Sequence, residues 1–171
     1  MFMHAESIEE AAVANDVGEM TAFMRIGSDF ESNYYEYEIP LTMSDPNDMN
    51  GSLDEIKQAV WLKENEFDFP LELLRNAKID RDVSGYPLSE VYNYRPLGGA
   101  PDPEKPENNV KVIGNPDLGM VKSIMIGIRN RKDDGLARCI EVWVNELRLT
   151  GFDERGGTAA LARMDVQLAD F

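Results

Sequence analysis

Glu36 and Glu38 stand two residues apart in the run Tyr34–Leu41, the spacing that places two side chains on one face of a β-strand. Two neighbouring carboxylates can share general acid and base work, provided a cleft drives their proton affinities apart. Nothing in the sequence puts either residue in a cleft, so a solvated strand face is the expectation. Cys139 is the single cysteine, which excludes an internal disulfide. A thiol nucleophile needs a base beside it, and the single histidine, His4, is far away in sequence. Because Cys139 opens the apolar run Cys139-Ile140-Glu141-Val142, a packed, slowly reacting thiol is expected. Zinc lacks a ligand set, with one His and one Cys in the chain. Asp45-Pro46-Asn47-Asp48-Met49-Asn50-Gly51 has the composition of a calcium loop but not its spacing. Met49 stands where an oxygen ligand belongs and Asn50 where the glycine belongs. Gly114-Asn115-Pro116-Asp117-Leu118-Gly119 has neither phosphate-loop spacing nor a Lys-Ser/Thr ending and reads as a turn. Tyr34, Tyr35, Tyr37, Trp61, Phe67 and Phe69 have the side chains to line a sugar-binding groove, although core positions are the commoner fate of such residues. No catalytic, cofactor-binding or metal-binding residue is assigned, and the chain is not expected to be an enzyme.

The elements that would position these residues are mostly strands. Residues 34–41 alternate strictly, with Tyr35, Tyr37, Ile39 and Leu41 on one face and Tyr34, Glu36 and Glu38 on the other, and Pro40 marks an edge or an end. Residues 20–27 alternate Ala22, Met24 and Ile26 with Thr21, Phe23 and Arg25, and residues 2–5 form a short first strand. Ile124, Ile126 and Ile128 share a face in 121–129. In 139–149, Val142 and Val144 share one parity while Trp143, Leu147 and Leu149 share the other. That pattern predicts either burial on both faces or a bulge at Asn145-Glu146 that flips the register. Ser52 and Glu55 form a capping-box pair ahead of a helix over 53–61, and Pro70 opens a second helix over 70–78. Four prolines between Tyr94 and Pro106 predict an exposed excursion over 94–109.

Composition adds boundaries. The 171 residues suffice for one good core, and 43% hydrophobic with 29% charged residues is ordinary for a globular chain. The net charge is −15, and residues 1–50 hold eleven acids against one base, Arg25. This balance argues against nucleic acid and against an anionic lipid surface, both of which need clustered Lys and Arg. No apolar run approaches the ~20 residues of a spanning helix.

Several blocks resemble one family. They are Met1-Phe2-Met3-His4-Ala5-Glu6, Arg25-Ile26-Gly27-Ser28-Asp29-Phe30, Asn33-Tyr34-Tyr35-Glu36-Tyr37-Glu38-Ile39-Pro40-Leu41, Asn65-Glu66-Phe67-Asp68-Phe69-Pro70-Leu71-Glu72, Val121–Asn130, Glu141-Val142-Trp143-Val144-Asn145-Glu146-Leu147-Arg148-Leu149-Thr150-Gly151-Phe152-Asp153-Glu154 and Gln167–Phe171. In this order they are similar to the SprA/Sov family of Bacteroidetes gliding-motility and type 9 secretion proteins, and the Trp143–Leu149 block is the most specific. Thr158 departs from the pattern, where an aromatic is expected after the Gly156-Gly157 pair. The resemblance implies a parent protein that is an outer-membrane β-barrel passing folded cargo, with this chain a soluble part of it in the cell envelope.

The expected fold is mainly β: an antiparallel β-sandwich of jelly-roll type with one or two short helices. Residues 1–157 would form one soluble module, and 158–171 would begin the next, truncated segment. The expected role is structural and interactional, toward protein subunits of the secretion complex or secreted cargo. A carbohydrate-binding sandwich of a surface protein is the alternative.

Overall fold

Alternation of bulky apolar with polar side chains places strands where the sequence predicts them. The computed structural model describes residues 1–8, 19–45, 51–96, 99–132 and 138–151. Strands β1 (Met3–Ser7), β2 (Met20–Gly27) and β3 (Tyr34–Pro40) are followed by helices α1 (Leu53–Val60) and α2 (Glu72–Ser84). Then come β4 (Tyr92–Asn93), β5 (Asn109–Ile113), β6 (Ser123–Asn130) and β7 (Ile140–Val144). All pairings are antiparallel, in a five-stranded sheet of order β4-β5-β3-β2-β6 and a two-stranded sheet of β1 and β7. The mainly β class with two helices is therefore as expected. The sandwich and its jelly-roll topology stay expectations.

One core serves both sheets. Ala22, Met24 and Ile26 of β2, Tyr35, Tyr37 and Ile39 of β3, and Val110 and Val112 of β5 enter it from the larger sheet. Met3 and Ala5 enter from β1, with Ile140 and Val142 of β7 packed against them. Helix α2 closes the larger sheet with Leu74 and Ala77 and ends at Gly85, whose φ of 69° is the left-handed cap that glycine adopts without strain. It runs beyond the expected 78 because nothing before Gly85 breaks it. Ser52 and Glu55 make the predicted reciprocal capping box on α1. That helix buries none of its residues and serves to carry Trp61, whose N–H closes on the Lys57 carbonyl at 2.9 Å.

Three expectations are corrected. Residues 145–149 continue no strand: β7 keeps an unbroken register with β1 and stops at Val144, and the Asn145 N–H turns to the Phe2 carbonyl at 3.0 Å. The parity switch marks a strand end and not a bulge, which leaves Leu147 and Leu149 exposed. Within the excursion expected to be exposed, Pro101, Asp102 and Asn108 are buried. Its described residues before Asn109 lie outside helices and strands, but Asp102 accepts from the Tyr37 hydroxyl at 2.6 Å, and Asn108 donates to that hydroxyl oxygen at 2.8 Å. Cys139 is exposed, because inward Ile140 and Val142 leave the opposite parity of Cys139, Glu141 and Trp143 facing out. Residues 158–171 and most of 45–51 lie outside the described residues.

Candidate functional site

The second face of the five-stranded sheet is where the Glu36/Glu38 pair sits. Register brings Arg25 of β2 and Lys111 of β5 directly beside Glu36, with Arg129 of β6 opposite Thr21. Glu36 accepts from Arg25 Nε at 2.8 Å, from Lys111 Nζ at 2.7 Å and from both terminal nitrogens of Arg129 at 3.2 Å. Glu38 accepts from Thr21 Oγ1 at 2.6 Å, Lys111 Nζ at 2.5 Å, Arg129 Nη1 at 2.7 Å and Arg131 Nε at 3.0 Å. The two acids are 1% and 0% exposed, so the expected solvated face is overturned. Their cover is the aliphatic stems of the bases that neutralise them. The Phe23 ring joins in, with the Arg129 and Arg25 guanidinium carbons 4.4 and 5.3 Å from its centre. The tip of the Phe23 ring abuts Gly127, where any Cβ would come within 2.4 Å of it.

The electrostatics follow from the contacts. Burial pushes the Glu38 carboxyl up, but hydrogen bonds from Arg131, Lys111 and Thr21 together outweigh it and hold the group down at about 2. Glu36 follows the same balance: burial raises it, and Lys111, Arg129 and Arg25 bring it below its ordinary value. A carboxylate offers about four lone-pair directions, and donors occupy them in both residues. Neither side chain has a proton to give or an oxygen left to take one. The pair is a neutralised strut between strands.

The aromatic residues divide. Tyr35, Tyr37 and Phe67 are buried, Phe69 stacks on Tyr37 with ring centres 4.0 Å apart, and the Tyr35 hydroxyl is spent on the Pro116 carbonyl at 3.0 Å. Tyr34 lies under Arg25 on the charged face, 4.2 Å from its guanidinium carbon. Trp61 of that group lines an open concavity.

That concavity is a cleft of about 230 Å³ on the outer face of the two-stranded sheet, lined by His4, Glu6, Val60, Trp61, Glu141 and Trp143. The β1–β7 register sets His4 opposite Trp143 and Glu6 opposite Glu141. His4, only 6% exposed, forms the floor: its Nδ1–H donates to the Val60 carbonyl at 2.8 Å, its ring meets Trp61 edge-on, and its Nε2 faces Glu6 Oε2 at 3.5 Å. Trp143 is 59% exposed and donates from Nε1 to Glu141 Oε1 at 2.5 Å. Sequence reading weighed His4 and Trp61 singly and missed the cleft. Its signal was the outward parity of 4, 6, 141 and 143, with nothing to say that the two strands pair. Among the described residues no group of three His, Cys, Asp or Glu is placed to hold a metal ion.

Fold and surfaces together define a mainly β protein of two antiparallel sheets, with a neutralised charged face on one and an aromatic, acid-rimmed cleft on the other. The family model for motility related/secretion proteins, SprA_N, matches residues 1–171, and the chain belongs to that family. No curated protein and no solved structure matches it. Among the described residues no helix is long and apolar enough to cross a membrane.

Proposed function

We propose that this chain is an interaction module of an outer-membrane protein-secretion translocon in the cell envelope, contacting partner subunits or passing cargo, and that it is not a catalyst. The observation that carries the reading is a run of exposed apolar side chains at the end of β7 and just beyond it: Val144, Leu147 and Leu149. β7 pairs with β1 alone among the described residues, so this run borders a strand edge that has no partner among them. Exposed apolar side chains beside a strand edge are what protein partners cover. Membership of a motility and secretion family supplies the context. The saturated Glu36/Glu38 cluster supports a role without turnover at that pair, since donors fill both carboxylates.

The test is Leu147→Ser with Leu149→Ser in the parent protein, scored by cargo appearing outside the cell and by the melting temperature of the purified chain. Secretion should fall while the melting temperature holds. Unchanged secretion with a folded chain would sink the proposal, and so would reproducible hydrolase turnover lost in Glu38→Gln. The carbohydrate alternative keeps one supporting observation, the indoles of Trp61 and Trp143 in one cleft, because the other candidate aromatics are committed elsewhere.

A further inference from the structure

The cleft between Trp61 and Trp143 presents a lopsided set of polar groups. The indole N–H of Trp143 is already given to Glu141, and the Nδ1–H of His4 to Val60. Beside the indole N–H of Trp61, the polar side-chain groups left are the carboxylates of Glu6 and Glu141, which only accept. A sugar presents hydroxyls that both donate and accept, and sites for it need both kinds of partner. A guanidinium or an ammonium only donates, and it is also the group that indole faces attract.

The charge pattern points the same way. Glu6 and Glu141 are direct cross-strand partners, a like-charge arrangement that costs stability on a two-stranded sheet. Elsewhere the protein surrounds buried acids with bases: four of them hold Glu36 and Glu38. Among the described residues neither Glu6 nor Glu141 has a Lys or Arg partner, and His4 at 3.5 Å is the nearest basic group to Glu6. The cleft is also small. At about 230 Å³ it falls below the range of about 300 Å³ and upward in which drug-sized ligands sit, and it suits a single side chain.

We infer that the cleft formed by His4, Glu6, Trp61, Glu141 and Trp143 is a recognition pocket for one basic side chain, an arginine or lysine presented by a protein segment. The side chain lies between the two indoles, and its charged head takes the place of the Lys or Arg partner that neither Glu6 nor Glu141 has among the described residues. This deepens the interaction-module reading and rests on it for the source of the segment. It also gives the net −15 chain a specific point of contact and not merely an acidic surface.

Trp61 and Trp143 are the only tryptophans in the chain, so its indole fluorescence reports on this cleft alone. The experiment titrates the 171-residue chain with acetyl-Gly-Arg-Gly-amide, with the peptides carrying Gln or Glu in place of Arg, and with a neutral hexasaccharide. The Arg peptide should give a saturable change that weakens as salt is raised. The Gln and Glu peptides and the sugar should give none. Glu6→Gln with Glu141→Gln should weaken the Arg peptide by about ten-fold or more, with circular dichroism unchanged. The peptide comparison needs no variant, so misfolding of the double mutant leaves the inference testable. No saturable change with the Arg peptide, an equal response to the sugar or the Glu peptide, or undiminished binding by a folded double variant would each overturn it. The secretion assay with Leu147→Ser and Leu149→Ser does not touch the cleft, so failure there counts against the interaction reading, and failure here against the pocket.

Discussion

Glu36/Glu38 and Glu6/Glu141 are two pairs of acids on the outward faces of the two sheets, and the protein treats them in opposite ways. The first pair is buried under Arg25, Lys111, Arg129 and Arg131, each base within ion-pair distance of one or both acids. The second is set strand against strand beside two indoles, with one histidine for company. Acids that help to hold a fold are desolvated and saturated with donors, because an uncompensated buried charge is too costly to keep. Acids kept in reserve for something outside the chain stay partly solvated, and the fold tolerates their repulsion. Proximity of carboxylates alone does not distinguish the two; the count of donors does.

The contrast breaks most visibly at Glu38. Glu38→Gln takes the buried acid from Lys111 and from the partly exposed Arg129 and Arg131, and a loss of about 1–3 kcal/mol is expected from urea unfolding. A loss below about 1 kcal/mol would mean the cluster is solvated after all. The next effect is on acid stability. The Glu38 carboxyl is held down at about 2 in the folded chain, and an unfolded glutamate titrates near about 4.3. Its contribution is therefore complete above the unfolded value and lost as pH falls toward the folded one. The urea midpoint should drop between about pH 5 and pH 2, by up to about 1.4 kcal/mol per pH unit for this one group, and more shallowly in Glu38→Gln. Gly127→Ala drives a methyl group into the Phe23 ring that supports Arg129, with an expected cost of about 1–3 kcal/mol in thermal unfolding. The smallest effect has the opposite sign. Glu141→Gln removes a like-charge cross-strand pair and should stabilise the chain by about 0.2–1 kcal/mol. If Glu141→Gln destabilises as Glu38→Gln does, the division into strut and reserve falls.

Much of the frame was readable from the residues. The alternations in 20–27 and 34–41, the Ile124–Ile128 face and the Ser52–Glu55 box all correspond to elements with closely matching bounds. β5 escaped because its alternation, Val110 and Val112 against Asn109 and Lys111, lasts five residues and follows a proline-rich stretch. Without β5 there was no Lys111 beside Glu36, and so the acids looked solvated. The apolar run after Cys139 read as a long buried strand, because periodicity cannot distinguish a strand end from a bulge. The cleft was out of reach for a different reason. Its members are ordinary outward residues until β1 is known to lie against β7, and no local pattern encodes a pairing between opposite ends of the described chain.

That pairing has a consequence for the order of assembly. β2 and β3 close a short hairpin, and β6 returns to β2 within the same sheet, but Met3 waits for Val144. Joining them closes a loop of about 140 residues, an entropic cost that is best met after the intervening chain has already collapsed. The two-stranded sheet should thus be among the last structures to form and the first to open. Because the indoles and acids of the cleft come together only when it does, a basic segment would meet its pocket only on a molecule that has finished folding.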